Sequence, residues 1–239
     1  MTLQETLLLL KSMENPVNKA GMARFGINIE NALGISVTQL RPIAKTIKKD
    51  HPLALELWNT GIHEARLLAC FIAEPSLMTT ELLDKWVNDF NSWDICDQAT
   101  SNLLDKCDLA IERIPIWASC EQEFVRRTPF ALIAALAVHK KGEKYDDFFV
   151  EHFPLIMQCV TDERNFVKKA VNWAIRQIGK RSDKMRATAL RLCDDIAKEY
   201  PTSKSANWII KDAVRELTAY DFSKKRKYNF VDAKNYDVQ

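Results

Sequence analysis

Apolar residues recur along most of the chain at the three- and four-residue spacing of helices, and the alternation expected of strands is nearly absent. An amino-terminal helix is predicted over about 2–13, followed by a loop-rich region around Gly21, Gly26 and Gly34 with a short helix near Met22. From Ser36 onward the pattern predicts helix pairs: 36–49, started by Thr38 or Ser36, then 52–59, and then 63–73 closed by Pro75. Next come 79–90 and 92–106, with Ser92 as N-cap and Asp94 in the first turn, where the helix dipole favours a carboxylate. A short helix around Trp117 follows Pro115, and then a nearly apolar segment, 121–139, which should be buried. Pro129 either kinks that helix or opens its true first turn with Thr128 as cap. The last pairs are 143–159 with 163–180 and 183–199 with 203–219.

These elements repeat. Tryptophans fall at 58, 86 and 117 on the first helices of successive pairs, and the second helices begin near 63, 92, 121, 163 and 203. Offsets of about 30 to 40 residues between helix pairs mark an all-α, HEAT-like or armadillo-type solenoid. Residues 1–220 are expected to form one such domain with a basic concave face, and 221–239, including Lys224, Lys225, Arg226 and Lys227, a basic flexible tail.

Two helices carry an oddity. On a wheel at about 100° per residue, Ile95, Cys96, Ala99 and Leu103 form the core stripe of 92–106, and Trp93 and Asp97 fall on the other side, one turn apart. In 163–180 the stripe is Val167, Val171, Ala174 and Ile178, with Asn165, Lys169, Trp173 and Arg176 opposite. Each tryptophan is thus expected to face away from its core stripe, either covered by a neighbouring repeat or lining a surface.

Charge gives that surface a ligand. Residues 1–163 hold 16 Lys and Arg against 23 Asp and Glu, whereas 164–228 hold 17 against 7. A segment at net +10 in a chain of net +2 suggests a polyanion, with nucleic acid as the leading candidate. The six cysteines form no CxxC pair and the four histidines lie away from them, so no metal or cofactor is expected. With no apolar run of bilayer length and no secretory signal at Met1–Glu5, a soluble, cytoplasmic monomer is expected.

Lys168, Lys169, Arg176, Arg126 and Arg127 would bind phosphates. A carboxylate among them would be repelled by the DNA backbone unless it had a task. Cleavage of an N-glycosidic bond supplies one, since positive charge develops on the sugar and an anion stabilises it or orients water. The plainer alternative for Asp97 is an ion pair with a basic neighbour.

Ser92-Trp93-Asp94-Ile95-Cys96-Asp97, Phe124-Val125-Arg126-Arg127 and the run Asn165 to Arg176 resemble the AlkD-like alkylpurine DNA glycosylases, bacterial repair enzymes built from HEAT-like repeats. The resemblance covers about residues 20–220. It implies that Asp97 is the catalytic carboxylate, that Trp93 and Trp173 hold the sugar and backbone at the lesion, and that Arg127 contacts DNA near the active site. It also implies excision of N3- and N7-alkylated purines from duplex DNA without flipping the base, in the bacterial cytosol or nucleoid. Such cationic bases leave readily, so no general acid is needed, which agrees with the single carboxylate. Ser92 stands where some relatives have another tryptophan, and Phe25 where a tyrosine can occur. The same superfamily includes non-catalytic binders of branched DNA, and a protein-binding solenoid is a third reading.

Overall fold

The computed structural model describes residues 1–224, among which every regular element is a helix. The all-α class expected from periodicity is thus the class observed. Residues 225–239, which hold most of the anticipated basic tail, lie outside the described residues. The chain divides into two compact units, with the boundary between Leu109 and Ala110.

The first unit contains α1 (Leu3–Ser12), α2 (Pro16–Arg24), α3 (Val37–Ile47), α4 (His51–Asn59), α5 (His63–Ile72), α6 (Thr80–Asn88) and α7 (Trp93–Asn102). Five of its seven helices, all but α5 and α7, start where side-chain acceptors meet the unpaired N–H groups of a first turn. Thr2 and Glu5 form a capping box at α1, Ser36 and Gln39 form another at α3, and Asp50 caps α4. Ser36, not Thr38, is therefore the α3 cap.

Helix α5 is the hub, packing against α1, α3, α4 and α7, with its first three residues and most of the rest buried. The repeated tryptophans meet face to face: Trp58 stacks on Trp86 with centroids 4.0 Å apart and planes 3° from parallel. The Trp58 indole N–H donates to Asp89 Oδ2 at 2.8 Å, so burial leaves its polar atom satisfied.

Glu64, fully buried on α5, ties down the strand-free segment before α3. Its carboxylate accepts the N–H groups of Leu33 (2.8 Å), Gly34 (2.7 Å) and Ile35 (3.1 Å). Gly34 is required there: its φ is +82°, and a Cβ would lie 2.2 Å from the Asn15 carbonyl oxygen.

The boundary falls within α8 (Asp108–Glu112). The second unit contains α9 (Ile114–Ser119), α10 (Glu123–His139), α11 (Asp146–Glu151), α12 (Phe153–Cys159), α13 (Asn165–Gly179), α14 (Asp183–Glu199) and α15 (Lys204–Ala219). Its hub is α13, which packs on α10, α12, α14 and α15. Gly179 permits the last of these contacts, since a Cβ would lie 2.6 Å from a Leu217 methyl carbon.

One open alternative is resolved and two expectations are corrected. Pro129 lies inside α10, which starts at Glu123; Thr128 is no cap, and its hydroxyl instead donates to the Phe124 carbonyl at 2.8 Å. The proline leaves the Val125 carbonyl without its usual N–H donor. The helix expected over 143–159 is broken at His152, because Pro154 sits in the first turn of α12 and cannot continue α11. The helix expected over 92–106 ends at Asn102, where Leu103 leaves helical geometry (φ −131°, ψ −59°).

Replacing Glu64 with Gln should lower stability by about 2 kcal/mol despite the matched shape. One amide group would confront a backbone N–H, leaving a buried donor unpaired. Chemical denaturation of the variant checks this.

Candidate functional site

In the first unit the candidate chemistry sits on α7. Ser92 holds the N-cap position, but its hydroxyl donates to Asp94 Oδ1 at 2.7 Å instead of accepting from a backbone N–H. The other oxygen of Asp94 lies 2.7 Å from Nε2 of His63, the buried first residue of α5. Asp94 therefore fixes the start of α7 onto the start of α5. Trp93, half-buried, donates its indole N–H to the Phe25 carbonyl at 2.9 Å, which fixes the ring against the loop after α2. The Phe25 side chain itself is exposed.

Asp97 follows one turn later and is only 5 % exposed. The wheel identified the core stripe correctly, since Ile95, Cys96, Ala99 and Leu103 are all buried. The opposite side, however, is not a solvated face: Asp97, Gln98, Thr100 and Ser101 are buried as well. Arg41 covers part of it, its guanidinium reaching Gln98 Oε1 at 3.5 Å and Asn102 Oδ1 at 3.4 Å. An interior polar face of this kind is costly in a helix that serves only packing.

In the second unit the candidates lie on α10 and α13. Arg127, 5 % exposed, donates from Nη1 to the Phe166 carbonyl at 2.6 Å. Glu123 accepts the Phe166 N–H at 3.1 Å, so the first turns of α10 and α13 clasp each other through a carboxylate and a guanidinium. Trp173 is 6 % exposed, which is the covered alternative of the two, because α13 is wrapped by neighbouring helices over most of its circumference.

The expected phosphate-binding cations divide into two groups. Arg126 pairs with Asp162 at 3.3 Å, and Arg176 with Glu216 and, at 3.8 Å, Asp212. Burial tends to raise the Glu216 pKa, but Arg176 and Lys180 outweigh it and hold the carboxyl below its ordinary range. Arg126 and Arg176 thus have their charge matched by the chain's own carboxylates. Lys169, by contrast, is exposed, with a pKa lowered by partial burial and then by the charges of Arg127 and Lys168. The neighbouring charges of Arg127 and Lys168 place a positive potential at Lys169 that an incoming phosphate would relieve.

Among the described residues, no group of three or more His, Cys, Asp or Glu side chains could hold a metal ion, and no helix is long and apolar enough to cross a membrane. His63 was not singled out in the sequence, yet it lies 31 residues before Asp94. The same interval separates Glu64 from Leu33 and Trp58 from Asp89. The repeat offset was the available signal.

A family model described as DNA alkylation repair enzyme matches residues 6–217. The chain belongs to the DNA alkylation repair enzyme family. A search of curated proteins gives no match. Among solved structures, this family member is similar to one described as "a new family of proteins related to the HEAT-like repeat DNA glycosylases with affinity for branched DNA structures". The TM-score is 0.76 at 18% identity, over 96% of this chain and 99% of that one. At that identity the likeness concerns the fold, which is a HEAT-like repeat architecture.

The clamp beneath Trp93 should be pH-sensitive. Burial works to lower the His63 pKa, but the hydrogen bond and charge of Asp94 outweigh it, so the imidazole titrates above its ordinary value. A raised folded pKa means that protonated His63 stabilises the fold. That contribution is complete below the unfolded value of about 6.5 and is lost as pH rises through the folded one. The gap between the melting curves of the protein and of Asp94→Asn should be widest below about pH 6 and should narrow as pH rises through the raised folded value.

Proposed function

We propose that this family member is a monofunctional alkylpurine DNA glycosylase. It acts as a cytoplasmic monomer, without metal or cofactor, on duplex DNA carrying cationic N3- or N7-alkylated purines, and leaves the base in the stack. The observation that carries this reading is the buried polar face of α7, with the Asp97 carboxylate held in it at 5 % exposure. A carboxylate in a low-dielectric setting interacts strongly with charge that develops beside it.

The chemistry follows from the leaving group. As the C1′–N bond breaks, its electron pair goes to the base and neutralises the positive charge that alkylation placed there. The deoxyribose is left with oxocarbenium character, which Asp97 stabilises while positioning the water that adds to C1′. That water loses one proton to the carboxylate or to solvent. Trp93, its ring fixed by the bond to Phe25, offers an aromatic face to the sugar, and such a face also favours a neighbouring cation; the resemblance of its motif assigns Trp173 the same role.

Arg127 contacts the DNA backbone, and Lys168 and Lys169 take most of the phosphate contacts. Arg126 and Arg176, paired with Asp162 and Glu216, serve chiefly to hold α13 in place.

A second reading has its own support. The structural relative named above has affinity for branched DNA, and a non-catalytic binder of damaged or branched DNA would need the same cations without the chemistry. The two readings part at base release.

The purified protein should release 7-methylguanine or 3-methyladenine from methylated duplex DNA, and Asp97→Asn should reduce the rate by about 100-fold or more while DNA binding persists. Full activity in that variant contradicts the assignment. Independently, Lys168→Ala and Lys169→Ala should each reduce the slope of log affinity against log salt by about one, measured by titrating duplex binding at several salt concentrations.

A further inference from the structure

Of the six tryptophans, five are buried or half-buried, and one, Trp208 on α15, is 39% exposed. It does not stand alone. Lys204, Trp208, Lys211 and Arg215 occupy positions i, i+4, i+7 and i+11, which fall within an arc of about 60° on a helical wheel. All four are exposed.

No carboxylate of α15 shares that arc. Asp212 and Glu216 lie to one side of it, where they pair with Arg176 and Lys180, although Asp212 also takes an ion pair from Arg215. From the neighbouring helix α13, Lys168 places its ammonium 5.1 Å from the centre of the Trp208 ring. A lysine resting on an aromatic face is held weakly and on a flexible stem. It can leave the ring for a phosphate when another flat group arrives.

From this geometry we infer that the exposed face of α15 is a binding site for an unpaired DNA strand, in which a base stacks on Trp208 and the flanking phosphates lie on Lys204, Lys211, Arg215 and Lys168. An aromatic plate interleaved with cations is what single strands require, because every base has a stacking face and every linkage a charge. Bases inside a duplex are already stacked on each other and do not offer their faces. The site therefore selects tails, forks and frayed ends over continuous duplex. This inference rests on the reading of the protein as DNA-directed, but not on its catalytic chemistry.

The test compares binding to a forked duplex with unpaired thymidine tails, to the tails alone and to the same duplex with blunt ends. The protein should prefer the fork. Trp208→Ala should weaken fork and tail binding by about tenfold and blunt-duplex binding by less than twofold, and Trp208→Phe should retain most of the affinity. Tails should also quench part of the tryptophan fluorescence, and that part should vanish in Trp208→Phe, which keeps an aromatic face but not the indole. Equal weakening on all three DNAs, no weakening on any, or a quench that survives in Trp208→Phe overturns the site. If the unaltered protein binds blunt duplex with a steep salt dependence while Trp208→Ala leaves tail binding intact, the α15 site falls alone. If it binds none of the three, the DNA-directed reading falls with it.

Discussion

Placing a carboxylate in a protein interior costs several kcal/mol unless its surroundings are arranged to receive it, and much of the first unit is arranged around the helix that carries one. Helix α7 buries Asp97, Gln98, Thr100 and Ser101 on one side and its apolar stripe on the other. Its first turn is held by Asp94, gripped between Ser92 and His63, and Trp93 is tied to the Phe25 carbonyl. His63 in turn begins α5, whose next residue, Glu64, orders the segment before α3. A shift of α5 would thus be felt at α7 and in the loop before α3.

The second unit handles charge differently. Its excess of cations suggests a uniformly basic face, but many of them stabilise the protein itself. Arg164 and Arg126 converge on Asp162, Arg176 and Lys180 on Glu216, and Arg181 on Asp146 and three carbonyls at the end of α10. What remains for a polyanion is more selective: Lys169 in a cluster of like charge, Lys168 over Trp208, and the exposed stripe of α15. Net charge indicated the class of partner. Ion pairing determines which residues can meet it.

Much of the fold was legible because helical periodicity is local. The helices expected over 183–199 and 203–219 are observed as Asp183–Glu199 and Lys204–Ala219. The misplacements arose where a single residue overrides the pattern, as Pro154 does within 143–159 and Leu103 within 92–106. Pro129 shows the reverse, a proline that packing keeps inside a helix. Exposure was less legible than phase. A wheel separates one side of a helix from the other but does not reveal whether both are covered: Trp173 takes the covered alternative that the pattern left open, and Asp97, placed by the wheel on the side away from the core stripe, is buried as well. Contacts at the repeat interval, His63 with Asp94 and Glu64 with Leu33, were encoded as spacing between residue types that no short motif joins.

The proposed chemistry depends on a base leaving methylated DNA. The most direct measurement is mass spectrometry of the small-molecule fraction after the purified protein meets methylated duplex DNA, with the strand examined for abasic sites. Free 7-methylguanine or 3-methyladenine, matched by abasic sites and lost in Asp97→Asn, is the predicted result. Tight DNA binding with no released base would contradict the glycosylase reading and favour a protein that binds DNA without releasing a base from it.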